Sequence, residues 1–455
     1  MNLFQRLFTK KQPQSKVRWI KAGALDAAVT TGETASYWSF ATNANADDIA
    51  NADARRTLRA RCRYEYLNDP YAMNAARNLA IAVVGIGPRL QVHKGSEDVD
   101  TISIERDFIK WSRWVKLPQK LALAVRSLVY DGEAFFRFVQ DNGNAILTNI
   151  ELVDAGRVSS PLMGHDTDEN VLDGVRYDSQ GNVVSYTVAR TPVNSMYTGI
   201  PTEYETVPGN EILHFFLPEL PGQHRGLPLM QSALASFAAL RRYNAAVIEA
   251  AETAACHAAL IKTGHLPDDE APADWTVGDE IQVPRRGAVV MPRGWDLVQL
   301  KPEQPTAQHG EFVASTLTGI GAGVGQPRNI ISNDSSNYNY SSGRLDHQTY
   351  FRYVETIQHE LMYILDEILH YFLAERDANM GGNDANKDFS AEWYFAELEH
   401  VDPEKEANTA ISLINNGLMT RAEYFAKFGQ SWEEQVEQMI KERKEVKHLY
   451  LGGTT

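Results

Sequence analysis

One of the longest periodic patterns in the sequence, and the one that most restricts the fold, runs from Tyr350 to Phe372. Tyr350, Val354, Ile357, Leu361, Ile364, Ile368 and Tyr371 recur at alternating spacings of four and three, and Phe351, Leu365, Leu369 and Phe372 widen the stripe. Such spacing places apolar side chains on one face of an α-helix. The pattern predicts a long, partly buried helix, so other parts of the chain must cover it. With 455 residues and 43% hydrophobic composition, the chain is long enough for a sizeable core and two or three structural units.

Residues 1–50 are polar and poor in branched apolar side chains, and are expected to form an arm. Their basic start, "MNLFQRLFTKKQPQSKVRW", lacks the continuous apolar region and cleavage site of a secretion signal. Asn51 or Asp53 is placed to cap a helix. "DPYAMNAARNLAIAVVG" predicts a helix opened by Pro70 and stopped by Gly85, and "IERDFIKWSRWVKL" and "LPQKLALAVRSLVYDG" predict two more. After Glu133 the texture changes. "EAFFRFVQDNGNAILTNIELVD" reads as a hairpin turning at Asn142 and Gly143, and "GVRYDSQGNVVSYTVAR" as another turning at Gly181 and Asn182. "YETVPGNEILHFFLPE" adds two short strands. Helices followed by one small antiparallel sheet make an α+β unit, mostly helical, over about residues 50–225.

From Pro228 a long Ala-rich helix of about 25 residues is expected, roughly 38 Å at 1.5 Å per residue. "GDEIQVPRRGAVVMPRGWDLVQLKPEQP" then reads as a compact β-containing insertion, and "TAQHGEFVASTLTGIGAGVG" as a returning helix weakened by glycines. Beyond the long stripe come a strand candidate, "FSAEWYFAELEHVD", and three helices.

The formal net charge of -15 argues against a chain that grips nucleic acid through a broad basic surface. The two cysteines, Cys62 and Cys256, form neither a disulfide framework nor a zinc pattern. The Ala-rich run 229–261 is interrupted by Arg241, Arg242, Glu249 and Glu252 and is too polar to span a membrane, so a soluble chain without a membrane partner is expected. "VVGIGPRL" lacks the third glycine of a dinucleotide fingerprint, and no GxxxxGK(S/T) run occurs, so the chain is not itself a P-loop motor. His359 and Glu360 lack the second histidine of a zinc helix, and His347 with Glu355 lacks further ligands, so no metal and no cofactor is expected. Asp366 and Glu367 point in adjacent directions and read as a solvated helix face rather than an acid/base pair. No catalytic residue emerges.

Arg55, Arg56, Arg59, Arg61 and Arg63 form the densest basic run. It reads as a solvated helix face, with contact to nucleic acid or an acidic neighbouring subunit as the alternative. Arg285, Arg286 and Arg293 make a second basic spot within the insertion. "SNDSSNYNYSSGRLD", residues 332–346, lies between two predicted helices. Ser341 and Ser342 lack the glycine-flanked elbow of a nucleophile and read as loop residues or a helix cap.

Several stretches, in this order, resemble lambda-type tailed-phage portal proteins: "RCRYEYLNDPYAMNAARNLAIAVVGIG", "VYDGEAFFRF", "LPGQHRGLPLM" and "NYNYSSGR". Together they cover most of residues 50–375. The resemblance implies a portal fold with wing, stem, clip and crown, assembled as a dodecameric ring at a capsid vertex. Double-stranded DNA would be packaged and ejected through it, and the ATPase would be a separate protein. Its implied parts are an N-terminal arm (1–50), wing (51–226 and 342–399), stem helices (227–255 and 307–326), clip (256–306), tunnel loop (327–341) and crown (400–455), the crown being small.

The implied partners are the terminase large subunit, the major capsid protein and scaffold, and head-completion or connector proteins, in a virion assembled in the host cytoplasm. Arg285, Arg286 and Arg293 would face terminase on the clip. Asn333, Ser335, Ser336, Asn337, Tyr338, Asn339 and Tyr340 would face DNA in the tunnel. There Ser and Asn offer neutral hydrogen bonds to phosphate, and the tyrosines add bulk without charge; a connector folded back on its own ring is the alternative. Arg344 suits an intra- or inter-subunit salt bridge, because its fork matches interface carboxylates. An acidic channel wall would let DNA slide. The competing readings are a ring of the phage tail or baseplate, and an enzyme acting on DNA during head assembly.

Overall fold

The computed structural model describes residues 33–94, 100–140, 148–161, 168, 170–190, 203–256, 260–263, 295–298, 308–336, 339–380, 389–395, 403–427 and 432–451. Asn45 and Asn51 each accept a backbone N–H through the side-chain oxygen, opening α1 (Ala46–Ile49) and α2 (Ala52–Asn68). Asp69 closes α2 and caps α3 (Pro70–Val84), its carboxylate taking the N–H groups of Tyr71 and Ala72 while Pro70 fills the first turn. Gly85, at φ 55°, stops α3. Then come β1 (Arg89–Lys94), α4 (Thr101–Trp114) and α5 (Leu117–Tyr130). The buried alanines of α3 let α5 pack closely against it.

The strands after Glu133 make two antiparallel sheets, where one was expected. In the first, β2 (Glu133–Gln140) lies between β3 (Thr148–Val153) and β8 (Ile212–Phe216). In the second, β4 (Val171–Leu172), β5 (Val175–Tyr177), β6 (Val183–Ala189) and β7 (Tyr204–Pro208) follow one another. The chain changes sheet at Gly209, where an added Cβ would lie 2.7 Å from the Val183 carbonyl oxygen. The turn at Gly181 and Asn182 is present, with Asp178 accepting the N–H groups of Gln180 and Asn182. The turn expected at Asn142 and Gly143 lies outside the described residues.

Helix α6 (Leu234–Cys256) starts later than Pro228. The N–H groups of Leu229 and Met230 instead bond to Leu128 and Val129 carbonyls at the end of α5, at 3.0 and 3.3 Å. At the base of the insertion β9 (Leu260–Thr263) pairs antiparallel with β10 (Trp295–Val298). Helix α7 (His309–Val324) returns and ends at Gly325 in the left-handed region (φ 72°), where a Cβ would meet the Tyr353 ring at 2.7 Å. A short helix, α8 (Arg328–Ser332), lies within the stretch expected to be loop.

Helix α9 (Tyr340–Met380) is 41 residues long, about 60 Å. Tyr350, Val354, Ile357, Leu361, Ile364, Ile368 and Phe372 are all buried along it, covered by α3, β3 and β8. Near its C-terminal part, Phe372 stands edge-on to Phe108, and Phe108 meets Trp393 at 5.4 Å. Trp393 belongs to β11 (Phe389–Tyr394), which pairs antiparallel with β1. Its indole N–H donates to Asp366 at 2.7 Å, so Asp366 is not the purely solvated residue expected. Helices α10 (Pro403–Asn415), α11 (Arg421–Lys427) and α12 (Trp432–Leu451) end the chain. Among the described residues no helix is long and apolar enough to cross a membrane.

Candidate functional site

The stretch that opens with Ser332 begins as a helix end. Asn333, at φ 52°, terminates α8 in the left-handed region, which asparagine tolerates better than most residues. Ser332 Oγ donates to the Arg328 carbonyl at 2.8 Å and accepts the Asp334 N–H at 3.2 Å. Asp334 Oδ1 in turn accepts the Ser336 N–H at 2.9 Å. Hydrogen bonds from Ser336 hold the Asp334 carboxyl below its ordinary value. Asn333, Ser335, Ser336 and Asn339 are exposed, and Tyr340 is the first residue of α9. Asn337 and Tyr338 lie outside the described residues. Arg344 is exposed on the first turn of α9, with no ion pair among the described residues.

The loop's base is seated on α3, which the sequence reading missed. The Asn74 side-chain amide donates to the carbonyls of Ile330 (3.0 Å) and Ile331 (2.7 Å), and Asn78 donates to Ile330 (2.8 Å). Asn333 exchanges side-chain amide contacts with Asn74 at 3.3 Å and Asn78 at 3.4 Å. On the other side Asn329 meets His347 of α9 at 3.0 Å. The signal was two amides four residues apart on a helix whose only other strongly polar side chain is Arg77.

Helices α6 and α7 run antiparallel. Ser232, just before α6, donates to Gly323 near the end of α7 at 3.1 Å. Further along, the Tyr243 ring stacks on His309 at the start of α7, with centroids 5.4 Å apart. The pair therefore carries the chain out to the insertion and back. Arg285, Arg286 and Arg293 lie in that insertion, outside the described residues.

The Arg55–Arg63 run corrects an expectation. Spaced by four, Arg55, Arg59 and Arg63 share one face of α2, and that face points inward. Arg55 is buried, bonding to Asp173 and to the Ala50 carbonyl. Arg59 reaches Glu133 at 3.2 Å, and Arg63 forks onto Asp131 at 2.5 and 2.8 Å and reaches Asp154 at 2.9 Å. Only Arg56 and Arg61 remain on the outer side, Arg56 pairing with Asp53 at 2.9 Å.

At the centre lie Glu133 and Arg225, both 0% exposed, joined by bonds of 2.9 and 2.6 Å. The Gly226 N–H and His214 Nε2 also meet Glu133, at 3.2 and 3.0 Å. The approach depends on two glycines: a Cβ on Gly226 would stand 2.1 Å from the Gly132 oxygen, and one on Gly132 would stand 2.4 Å from the Leu227 backbone. Burial alone would raise the Glu133 carboxyl, but the Arg225 charge and the bonds from Arg225 and His214 hold it well below the usual carboxylate range. Burial pushes His214 down despite its bond to Glu133.

These guanidinium groups and carboxylates tie α2, β2, the second sheet and the entry to α6 into one piece. Among the described residues no three His, Cys, Asp or Glu side chains are placed to hold a metal ion.

Residues 31–358 match the family described as phage portal protein, lambda family. The sequence is 22% identical over 400 residues to the probable portal protein of Halomonas phage phiHAP-1, covering 82% of this chain and 77% of that protein. It is 24% identical over 359 residues to portal protein B of Escherichia phage lambda, covering 70% and 66% respectively. In fold it is similar to a chain from the neck of an empty GTA particle computed with C6 symmetry, with TM-score 0.51 and 13% identity, over 80% of this chain and 91% of that one.

Proposed function

We propose, on the premise that this chain belongs to the lambda family of phage portal proteins, that twelve copies form a ring at a capsid vertex through which double-stranded DNA is packaged and ejected. The observation that carries this reading is the antiparallel pair α6 and α7, which leads out to an insertion and back, through α8, to a Ser/Asn segment before α9 whose described residues are exposed and carry a single charge, on Asp334. In a ring, that pair is the stem, residues 256–306 are the clip, and residues 333–339 face the channel. The two sheets, α1 to α5 and α9 form the wing, and α10 to α12 the crown. A head-to-tail contact repeated around a closing axis produces such a ring. Arg344, exposed at the head of α9, is placed to meet a carboxylate of the neighbouring copy. The net charge of -15, multiplied around the ring, repels phosphate and lets DNA slide.

The role is structural, and the ATPase that drives DNA belongs to the terminase large subunit docking on the clip. The wing meets the major capsid protein and scaffold, and head-completion proteins replace terminase once the head is full. Assembly takes place in the host cytoplasm, and the ring stays in the virion. Imaging of the purified protein is expected to show rings with a central hole. Monomers at every salt concentration would overturn the reading, and co-purification with tail proteins alone would point to a tail or baseplate ring. Replacing Arg285, Arg286 and Arg293 together with Ala is expected to leave rings intact and weaken terminase binding in a pull-down. Loss of rings would instead make the three arginines structural.

A further inference from the structure

We propose that Asn74 and Asn78 are positioning residues for the 333–339 loop, their amides fixing where it leaves α8. This rests on the reading that the loop faces the channel. Helix α8 spans only Arg328–Ser332, too short to hold itself, and its last carbonyls have no partners within the helix. Asn74 and Asn78 supply those partners from one face of α3, whose opposite residues are buried. The other end of α8 is tied to the same turn, since Gln326 Nε2 donates to the Ala75 carbonyl at 2.8 Å. Asn333 closes the arrangement by contacting both asparagines. With Asn329 bonded to His347, α8 is tied to both α3 and α9 just before the loop begins. A pull on it by moving DNA is borne by the turn from Asn74 to Asn78.

The test is the double variant N74D/N78D in the assembled protein. Aspartate keeps the shape but offers no donor, and sets carboxylate oxygens against the carbonyls of Ile330 and Ile331. Hydrogen exchange in peptides covering residues 328–340 is expected to speed about tenfold or more, because losing a hydrogen bond to a carbonyl changes a local opening equilibrium by about that factor. Exchange in α5 is expected to stay unchanged. N333G, which keeps the left-handed backbone and removes only the amide contacts, is expected to show a smaller rise in the same peptides. Unchanged exchange at 328–340 in both variants would overturn the proposal, as would an equal rise in α5, which marks general loosening. Complementation of a portal-defective phage separates the two readings. Faster exchange with reduced packaging supports both, whereas faster exchange with normal packaging keeps the positioning role and sinks the channel-facing reading of the loop.

Discussion

Replacing Glu133 with Gln is expected to destabilise the wing by about 3 kcal/mol, the lower end of the cost of breaking a buried ion pair, because Arg225 keeps Asp173 at 3.4 Å. Glutamine has the same shape, so little packing is lost. Arg225 is fully buried, however, and both of its bonds to Glu133 would lose their charge, as would that of Arg59. The exposed pair of Arg56 and Asp53 is the control: D53N is expected to cost under about 1 kcal/mol, because water already screens it. Urea unfolding followed by the tryptophan signal measures both. Equal effects would show that the buried cluster is not what binds α2 to the sheets.

The same residue makes stability depend on pH, with a definite sign. The Glu133 carboxyl is depressed in the folded state, so its contribution is fully present above the ordinary glutamate value of 4.5 and is lost as pH falls through the folded value. Asp173, held down by Arg225 and Arg55 against the opposing effect of burial, adds a loss of the same sign below 3.8. The urea midpoint of the wild type is therefore expected to fall steeply below pH 4.5 and that of E133Q less steeply. Parallel curves would remove Glu133 from the account.

Why the cluster escaped the sequence reading is itself physical. Arg55, Arg59 and Arg63 show their spacing of four plainly, but a run of arginines looks the same whether it faces water or a buried carboxylate. Their partners lie between 68 and 118 residues away. The stretches "VYDGEAFFRF" and "LPGQHRGLPLM" carried the resemblance as separate words. In the fold, Gly132 and Gly226 bring them together, so that Glu133 meets Arg225.

Helix α9 was legible because a continuous buried stripe needs only local spacing. The caps of α3 were legible because Asp69, Pro70 and Gly85 act on their own neighbours. The sorting of β7 and β8 into different sheets was not, since both read as short strands and their partners, β6 and β2, are set by the fold rather than by local pattern. Helix α8 was too short to show any period, and nothing local marked Asn74 and Asn78, because the carbonyls they bind lie more than 250 residues away in sequence.

Replacing residues 335–339 with two glycines is expected to abolish DNA packaging while leaving rings that image normally. Ser335, Ser336 and Asn339 are exposed; Ser336 bonds back to Asp334, and the Asn339 carbonyl accepts the Gly343 N–H at 3.0 Å, so removing the segment loosens the first turn of α9 and leaves the buried faces of α3 and α9 in place. Assembly should therefore survive. Packaging should not, because the substitution takes away the polar, uncharged side chains that would touch phosphate in passing. A second substitution tests the charge argument. Placing Lys at Ser335 and Ser336 adds positive charge in every copy of the ring, and attraction to phosphate then opposes sliding, most strongly at low salt. A filling defect that salt relieves is expected for the lysine variant, and one that salt does not relieve for the shortened loop. Normal filling by the shortened loop would show that residues 335–339 have no part in moving or retaining DNA.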